Sequence, residues 1–460
     1  MIHIILIRHG RTAWNTGEGQ DERFRGVLDM PLAEKGVDQA QVTAGRLARW
    51  PLAAVYSSPL QRALRTAEII ALPHGLAVQA LPGLSSMNYG EWAGQLHAEV
   101  ARRWPDLYSS WRRDPFSIQI PGGESTADLR DRAMAAQRAV VARHTDGETL
   151  VFVTHQIVTK VLVCAMAGLP NGAYWQVRQN LCNLNRFDYN PATQAFSVVG
   201  LNDTCHLGLG VSRGAGEGTR IILVRHGQTG WNAGAGAAGE RFRGRTDLPL
   251  TDIGLAQAQA LAGRFAADRQ DHLIAALYAS PLLRAQQTLA PLAAELGLPL
   301  QAHHGLLDIN YGRFQGLTHG EAAELYPELY RLWRTTPSRV RFPEGESLGD
   351  VQVRVQALLD EVAGRHRGRE VVLVGHEIVN KVLVCTLLGL TLDQIWRIRQ
   401  DPAGLDLFQR EGPGPLAPWP AGAGQGGRRR EPGRARAREG EQWLVQCLND
   451  TCHLLGSVEE

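Results

Sequence analysis

The sequence predicts two α/β domains in tandem, each built on a mostly parallel sheet with helices over both faces. Three observations carry this expectation. The apolar run Ile2–Ile7 ends in Arg8-His9-Gly10, and a second run, Ile221–Val224, ends in Arg225-His226-Gly227. The two halves then align almost end to end. Within each half, apolar strands alternate with helical patterns, as parallel strands joined by helical crossovers require.

In the first half the apolar strands are Ile2–Ile7, Ala54–Ser57 and Thr149–Val153. Helical periodicity covers Ala33–Ala48, Pro59–Ile70, Ser125–Arg143 and Ile157–Ala167. Ser58-Pro59 and Ser280-Pro281 place a capping hydroxyl before a proline at the first helical position. Asn183–Asp188 and Phe196–Gly200 read as a hairpin. The repeat is dense: ERFRG recurs at Glu22 and Glu240, MNYG at Met87 as INYG at Ile309, and VTHQIVTKVLVC at Val153 as VGHEIVNKVLVC at Val374. The offset runs from 217 residues (His9 to His226) to 222 (Arg62 to Arg284), so insertions are few and belong in loops.

These alignments set the boundaries at 1–207 for the first domain, 208–219 for a Gly-rich linker and 220–460 for the second domain. The second copy carries a Gly/Pro/Arg-rich insertion, 411–441, with six arginines between Arg428 and Arg438. It lacks interleaved aromatics, so a solvated, disordered loop is the expectation rather than a nucleic-acid arm. A net charge of +2 over 460 residues gives no bias toward nucleic acid or membrane. No apolar window is long enough to span a bilayer. The six cysteines form no CxxC motif, which favours free buried thiols and a cytoplasmic protein. A homodimer is compatible with the sequence, but nothing in it dictates one.

Each copy has two histidines directly after apolar strands, His9 with His155 and His226 with His376. It also has an arginine at the first strand tip (Arg8, Arg225) and another early in the next helix (Arg62, Arg284). If the strands are parallel neighbours, each quartet converges at one sheet edge, where ligands of open α/β sheets bind. Two guanidinium forks suit a phosphoryl dianion. An imidazole kept neutral by those cations can attack phosphorus. A lone strand-end histidine would suggest only a backbone hydrogen bond, but the quartet recurs at matched spacing. Metal binding is disfavoured because the arginines would repel a dication and no carboxylate cluster completes a shell.

Taken in order, RHGxTxWN, FRGxxDxPLxxxGxxQA, SSPLxRAxxTA and the later strand-end histidine resemble the histidine phosphatase superfamily, in its phosphoglycerate-mutase-like branch. The resemblance covers nearly the whole chain apart from the linker and the insertion. It implies two tandem three-layer α/β/α domains and a metal-independent, cofactor-free phosphohistidine mechanism on a small phosphorylated metabolite. His9 and His226 would be nucleophiles. Arg8, Asn15, Arg62 and His155, with Arg225, Asn232, Arg284 and His376, would hold the phosphoryl group. The family also supplies a carboxylic acid four residues before the glycine of the NYG element. That position is Asp308 in copy two and Ser86 in copy one. A serine cannot serve as an acid near neutral pH, so copy one is expected to be a weakened enzyme or a structural partner; Glu91 is either a substitute acid or a solvent-exposed residue next to Trp92.

Phosphatase is the leading reading. The rival is a cofactor-dependent phosphoglycerate mutase, which needs extra cations over the site. The lid regions Gln95–Ile120 and Thr318–Arg341 carry four arginines each, at spacings that also suit solvated helix faces. After the second histidine stand Gln156 and Glu377, either helix-start residues or, for Glu377, a selector of cationic or hydroxyl-bearing substrates. His206 and His453 are weaker candidates for lining a pocket.

Overall fold

A computed structural model of the chain describes residues 1–15, 23–208, 218–232, 239–267, 274–411 and 442–454. Most of the expected linker (208–219) and insertion (411–441) therefore lies outside the described residues. The chain divides into two compact units. The first comprises Met1–Ser212, Val384–Gly404 and Gln446–Cys452; the second comprises Arg213–Leu383, Leu405–Val445 and His453–Glu460. Residues 384–404 and 446–452, expected in the second domain, thus count with the first unit.

The first copy runs β1 (Ile2–Arg8), α1 (Glu34–Leu47), β2 (Leu52–Ser57), α2 (Gln61–Ala71), β3 (Val78–Ala80), α3 (His97–Arg103), α4 (Pro105–Arg113), α5 (Thr126–Val141), β4 (Thr149–Thr154), α6 (Gln156–Ala167), β5 (Leu184–Asn190) and β6 (Ala195–Asp203). Its strands lie in the order β3-β2-β4-β1-β5-β6. The first four are parallel, while β5 is antiparallel to β1 and closes the expected hairpin with β6. Ile5, Ile7, Val55, Val151 and Val153 form a core with Ala44 and Leu47 of α1 and Ala63, Ala67 and Ile70 of α2. Ile4 and Leu6, facing the other way, are equally buried, so both faces are covered.

The second copy repeats this as β7 (Arg220–Arg225), α7 (Asp252–Ala267), β8 (Ile274–Ala279), α8 (Leu283–Leu296), β9 (Leu300–Ala302), α9 (His319–Leu325), α10 (Pro327–Thr335), α11 (Leu348–Arg365), β10 (Glu370–Gly375), α12 (Glu377–Leu388), β11 (Leu405–Glu411) and β12 (Gln442–Asp450). Strands β8, β10 and β7 are parallel and β11 is antiparallel to β7. The fold is α/β, as the alternation predicts, and the antiparallel β5, β6 and β11 make the sheet a mixed one where a mostly parallel sheet was expected.

Two expectations need correction. Helix α2 begins at Gln61, not at Pro59, and its cap comes from elsewhere. The Gln61 amide donates to Asp29 Oδ1 at 2.8 Å, and the matching Leu283 amide donates to Asp247 Oδ1 at 2.7 Å. The aspartate of the FRGxxD motif is thus a remote N-cap, favoured there by the helix dipole. The second correction concerns cysteines. Cys205 and Cys452, expected as free thiols, are bonded to each other, their Cα atoms 6.2 Å apart and within disulfide reach. Cys164 and Cys182 are free and buried, and burial pushes both thiols up to about 12. No helix among the described residues is long and apolar enough to cross a membrane.

The turn after β1 is held by close packing. A Cβ on Gly10 would run into the Gly36 carbonyl, and one on Gly36 into the backbone of Arg11. The Gly10 amide also donates to Thr66 Oγ1 at 3.1 Å. Copy two repeats the arrangement with Gly227, Gly254 and Thr288. These contacts fix the backbone that carries the first histidine. Gly36→Ala should therefore destabilise the chain by about 1–3 kcal/mol through overpacking. Gly45→Ala, on the open side of α1 with nothing nearby, should be neutral or slightly stabilising. Urea unfolding midpoints check both, and equal midpoints would contradict this packing argument.

Candidate active site

The parallel pairing of β1 and β4 sets Arg8 opposite Thr154, so the next residues, His9 and His155, emerge side by side. Their rings lie 5.2 Å apart at 62°. In copy two Arg225 sits opposite Gly375, and the His226 and His376 rings lie 5.1 Å apart at 60°. Helix α2 brings in Arg62, almost wholly buried. Its Nη1 and Nη2 donate to the carbonyls of Leu28 and Gly26, both at 2.8 Å. Arg284 makes the same bonds to Thr246 and Gly244, and its Nε donates to His376 Nδ1 at 3.2 Å. Arg8 Nη1 donates to the Gln179 carbonyl at 2.7 Å. The four side chains of each quartet thus meet at the carboxyl edge of their sheet.

His9 Nδ1 donates to the Gly10 carbonyl at 2.7 Å, and His226 Nδ1 to the Gly227 carbonyl at 2.7 Å. That bond fixes the tautomer and leaves Nε2 with a lone pair. His226 Nε2 is buried without a hydrogen-bond partner. Burial, then the charges of Arg62 and Arg8, hold His9 well below its ordinary value of 6.5. Burial, Arg284, Arg225 and Arg243 do the same to His226. Both imidazoles are therefore neutral at physiological pH, the form in which a histidine can attack phosphorus. His155 Nε2 meets Ser58 Oγ at 2.8 Å.

The first quartet opens on a cavity of about 160 Å³ lined by Arg8, His9, Arg62, Ser86 and His155, with Arg25, Lys160 and Trp175 among others. Arg25, with its counterpart Arg243, was missed as a site residue. The signal was present, since it lies in the strictly repeated ERFRG. Asn15 lies outside that lining. Its Oδ1 accepts from the Thr12 amide and hydroxyl, both at 2.9 Å, and these bonds do not use its amide NH2. Asn232 Oδ1 is held by Thr229 in the same way, and its Nδ2 is buried without a partner. His206 does not reach the cavity. Its Nε2 contacts the Cys182 carbonyl at 3.0 Å and Thr43 Oγ1 at 3.1 Å. His453 Nδ1 lies 3.5 Å from Arg264 Nη1.

The two copies differ at the acid position. Asp308 is buried, 3.2 Å from Arg284 Nη2 and 3.8 Å from His376 Nδ1. Burial raises its pKa despite Arg284 and Arg243. Ser86 lines the first cavity, but no carboxylate among the described residues does. Glu91 is half-exposed, 3.8 Å from Arg103, and lies outside the lining. Of the eight lid arginines only Arg112 lines that cavity. Arg102, Arg103, Arg113, Arg331, Arg334, Arg339 and Arg341 are exposed. No group of His, Cys, Asp or Glu among the described residues is arranged to hold a metal ion.

Strand-end histidines between buried guanidiniums are an arrangement that suits a phosphoryl group. The sequence pattern of the histidine phosphatase superfamily (branch 1) matches residues 4–204 and again 221–417, and the chain belongs to that superfamily. It is 32% identical over 209 residues to phosphoserine phosphatase 1 of Hydrogenobacter thermophilus, a match covering 45% of this chain and 95% of that protein. It is 31% identical over 214 residues to the probable phosphoglycerate mutase GpmB of Escherichia fergusonii, covering 45% and 95%. Among solved structures it is similar to Bacillus stearothermophilus YhfR, with 30% identity and a TM-score of 0.42, covering 45% of this chain and all of that one.

If Asp308 is the acid that the family resemblance implies, its raised pKa has a kinetic consequence. Only its protonated form can donate, so activity that uses it falls as pH rises through that raised pKa. His226, held below 6.5, stays neutral over the same range. In a His9→Ala chain, kcat/KM for an alkyl phosphate should show this alkaline fall. In a His226→Ala chain, which depends on the site with Ser86, the fall should be absent. Identical pH profiles in the two chains would contradict this.

Proposed function

We propose that this protein is a metal-independent phosphatase of small phosphomonoesters, working through a phosphohistidine, with the second copy as its principal site. The supporting observation is the neutral His226, its Nε2 unpartnered beside two buried guanidiniums. Nε2 attacks phosphorus, and the bond to the ester oxygen breaks. Arg225, Arg284 and His376, with the Asn232 amide, hold the phosphoryl oxygens as their charge redistributes. Asp308 gives its proton to the departing alkoxide. Its carboxylate then takes a proton from the water that attacks the phosphohistidine, which restores acid, imidazole and phosphate. His9, with Arg8, Arg62, His155 and Asn15, performs the same transfer without an acid. A mutase needs further cations to hold a second anionic group, and in the second copy Glu377 already pairs with Arg225, Arg243 and Lys381, which favours hydrolysis there. Phosphoserine is the first ester to assay, since a relative at 32% identity bears that activity in its name.

Leaving-group chemistry tests the division of labour. With an alkyl phosphate, His226→Ala should remove nearly all phosphate release and His9→Ala little. With an aryl phosphate, whose leaving group departs without a proton, the first site should contribute visibly. Ser86→Asp in the His226→Ala chain should raise alkyl-ester turnover by about 10²-fold or more, the usual worth of a general acid. Chelator should change none of these rates. Equal losses from His9→Ala and His226→Ala on the alkyl ester would show the sites to be equivalent. A bisphosphoglycerate-dependent mutase rate above the hydrolysis rate would overturn the phosphatase reading.

A further inference from the structure

The residue following the second histidine is Gln156 in one copy and Glu377 in the other, at the start of α6 and α12. Its neighbours are otherwise matched: Arg8 with Arg225, Arg25 with Arg243, Lys160 with Lys381. Glu377 binds this cationic set directly. One carboxylate oxygen lies 3.0 Å from Arg225 and 3.8 Å from Arg243, and the other accepts from Lys381 at 2.7 Å. Its charge also bears on Tyr311 and His319, the counterparts of Tyr89 and His97, which line the first cavity. Burial alone would raise this carboxyl, but Lys381, Arg225 and Arg243 hold it well below the usual carboxylate range. Glu377 is therefore a fixed negative charge within the second site.

The first cavity has the opposite character. Among the described residues its lining includes six cationic side chains, Arg8, Arg23, Arg25, Arg62, Arg112 and Lys160, and no carboxylate. The Lys160 ammonium is buried 4.9 Å from the Trp175 ring and 5.0 Å from that of Tyr174. Arg8 and Arg62 suffice for a phosphoryl dianion, so the remaining cations exceed what that group requires.

We propose that this residue sets the charge class of ester at each site: Gln156 leaves the first cavity suited to a phosphomonoester bearing a second anionic group, and Glu377 makes the second site reject one. The proposal rests on the phosphatase reading above. A carboxylate or second phosphate on the substrate would meet Lys160 and Arg112 in the first cavity. At the equivalent place in the second site it would meet a cationic set already engaged by Glu377, and a like charge.

Exchanging the two side chains, which are nearly equal in size, tests this in the full-length chain. The probes are 3-phosphoglycerate and glycerol 3-phosphate, which differ by a carboxylate in place of a hydroxymethyl group. In a His9→Ala chain, Glu377→Gln should raise the kcat/KM ratio of the first ester to the second by about tenfold, as expected for one unit charge acting over a few ångströms. In a His226→Ala chain, Gln156→Glu should lower the ratio by a similar factor. An unchanged ratio in either exchange overturns the proposal. So does an equal loss on both esters in Glu377→Gln, which would make Glu377 only a support for Arg225. If no chain hydrolyses any ester, the phosphatase reading fails. Calorimetric affinities for the same two esters then decide the charge assignment by the same ratio.

Discussion

Each site depends on a guanidinium buried against a neutral imidazole. Taking a cation out of water costs several kcal/mol unless its donors are satisfied. Arg62 and Arg284 meet that cost with paired backbone carbonyls from the loop that follows the RHG turn. Burial, with Arg25 nearby, lowers Arg62 only to about 10, so it remains charged at physiological pH. That retained charge helps keep His9 deprotonated, and the matching charge of Arg284 does so for His226. The remote caps from Asp29 and Asp247 and the glycine contacts beneath the turn serve the same end. They hold the helix and strand that present cation and nucleophile to each other. A site organised in this way spends little on reorganisation when a dianion arrives.

On this shared frame, two positions separate the copies. In the proposed mechanism, Asp308 against Ser86 decides whether a leaving oxygen can be protonated. Glu377 against Gln156, on the same proposed reading, sets the charge that a substrate's remaining atoms would encounter. Neither difference disturbs the strand pairing or the histidine geometry, since the ring separations are 5.2 and 5.1 Å. The duplication therefore yields two quartets of matched geometry whose surroundings differ in acidity and charge.

Much of this was legible in the sequence because strand-end chemistry is local. The apolar runs, the histidines behind them and the repeat spacing pointed to adjacent parallel strands. The hairpin of β5 and β6 was equally readable. Other features depend on contacts between distant segments. Asp29 caps a helix 32 residues away, and Arg25 reaches the cavity through a loop; a repeated motif marks both as significant without saying what either touches. The three-residue edge strands β3 and β9 are too short and too exposed to show alternation. The bond between Cys205 and Cys452 joins residues far apart in the chain, and no spacing rule announces such a pair. The sequence offered Glu377 either as a first-turn residue favoured by the helix dipole or as a selector, and its ion pairs with Arg225, Arg243 and Lys381 needed coordinates.

The central claim is that neutral His9 and His226 both take up the phosphoryl group. Rapid-quench labelling with a 32P-labelled aryl phosphate measures this most directly. The account predicts an acid-labile, alkali-stable label on both His9 and His226, with His226→Ala and His9→Ala each removing one of the two. Turnover with no such label on either histidine, or a label that survives acid, would contradict it.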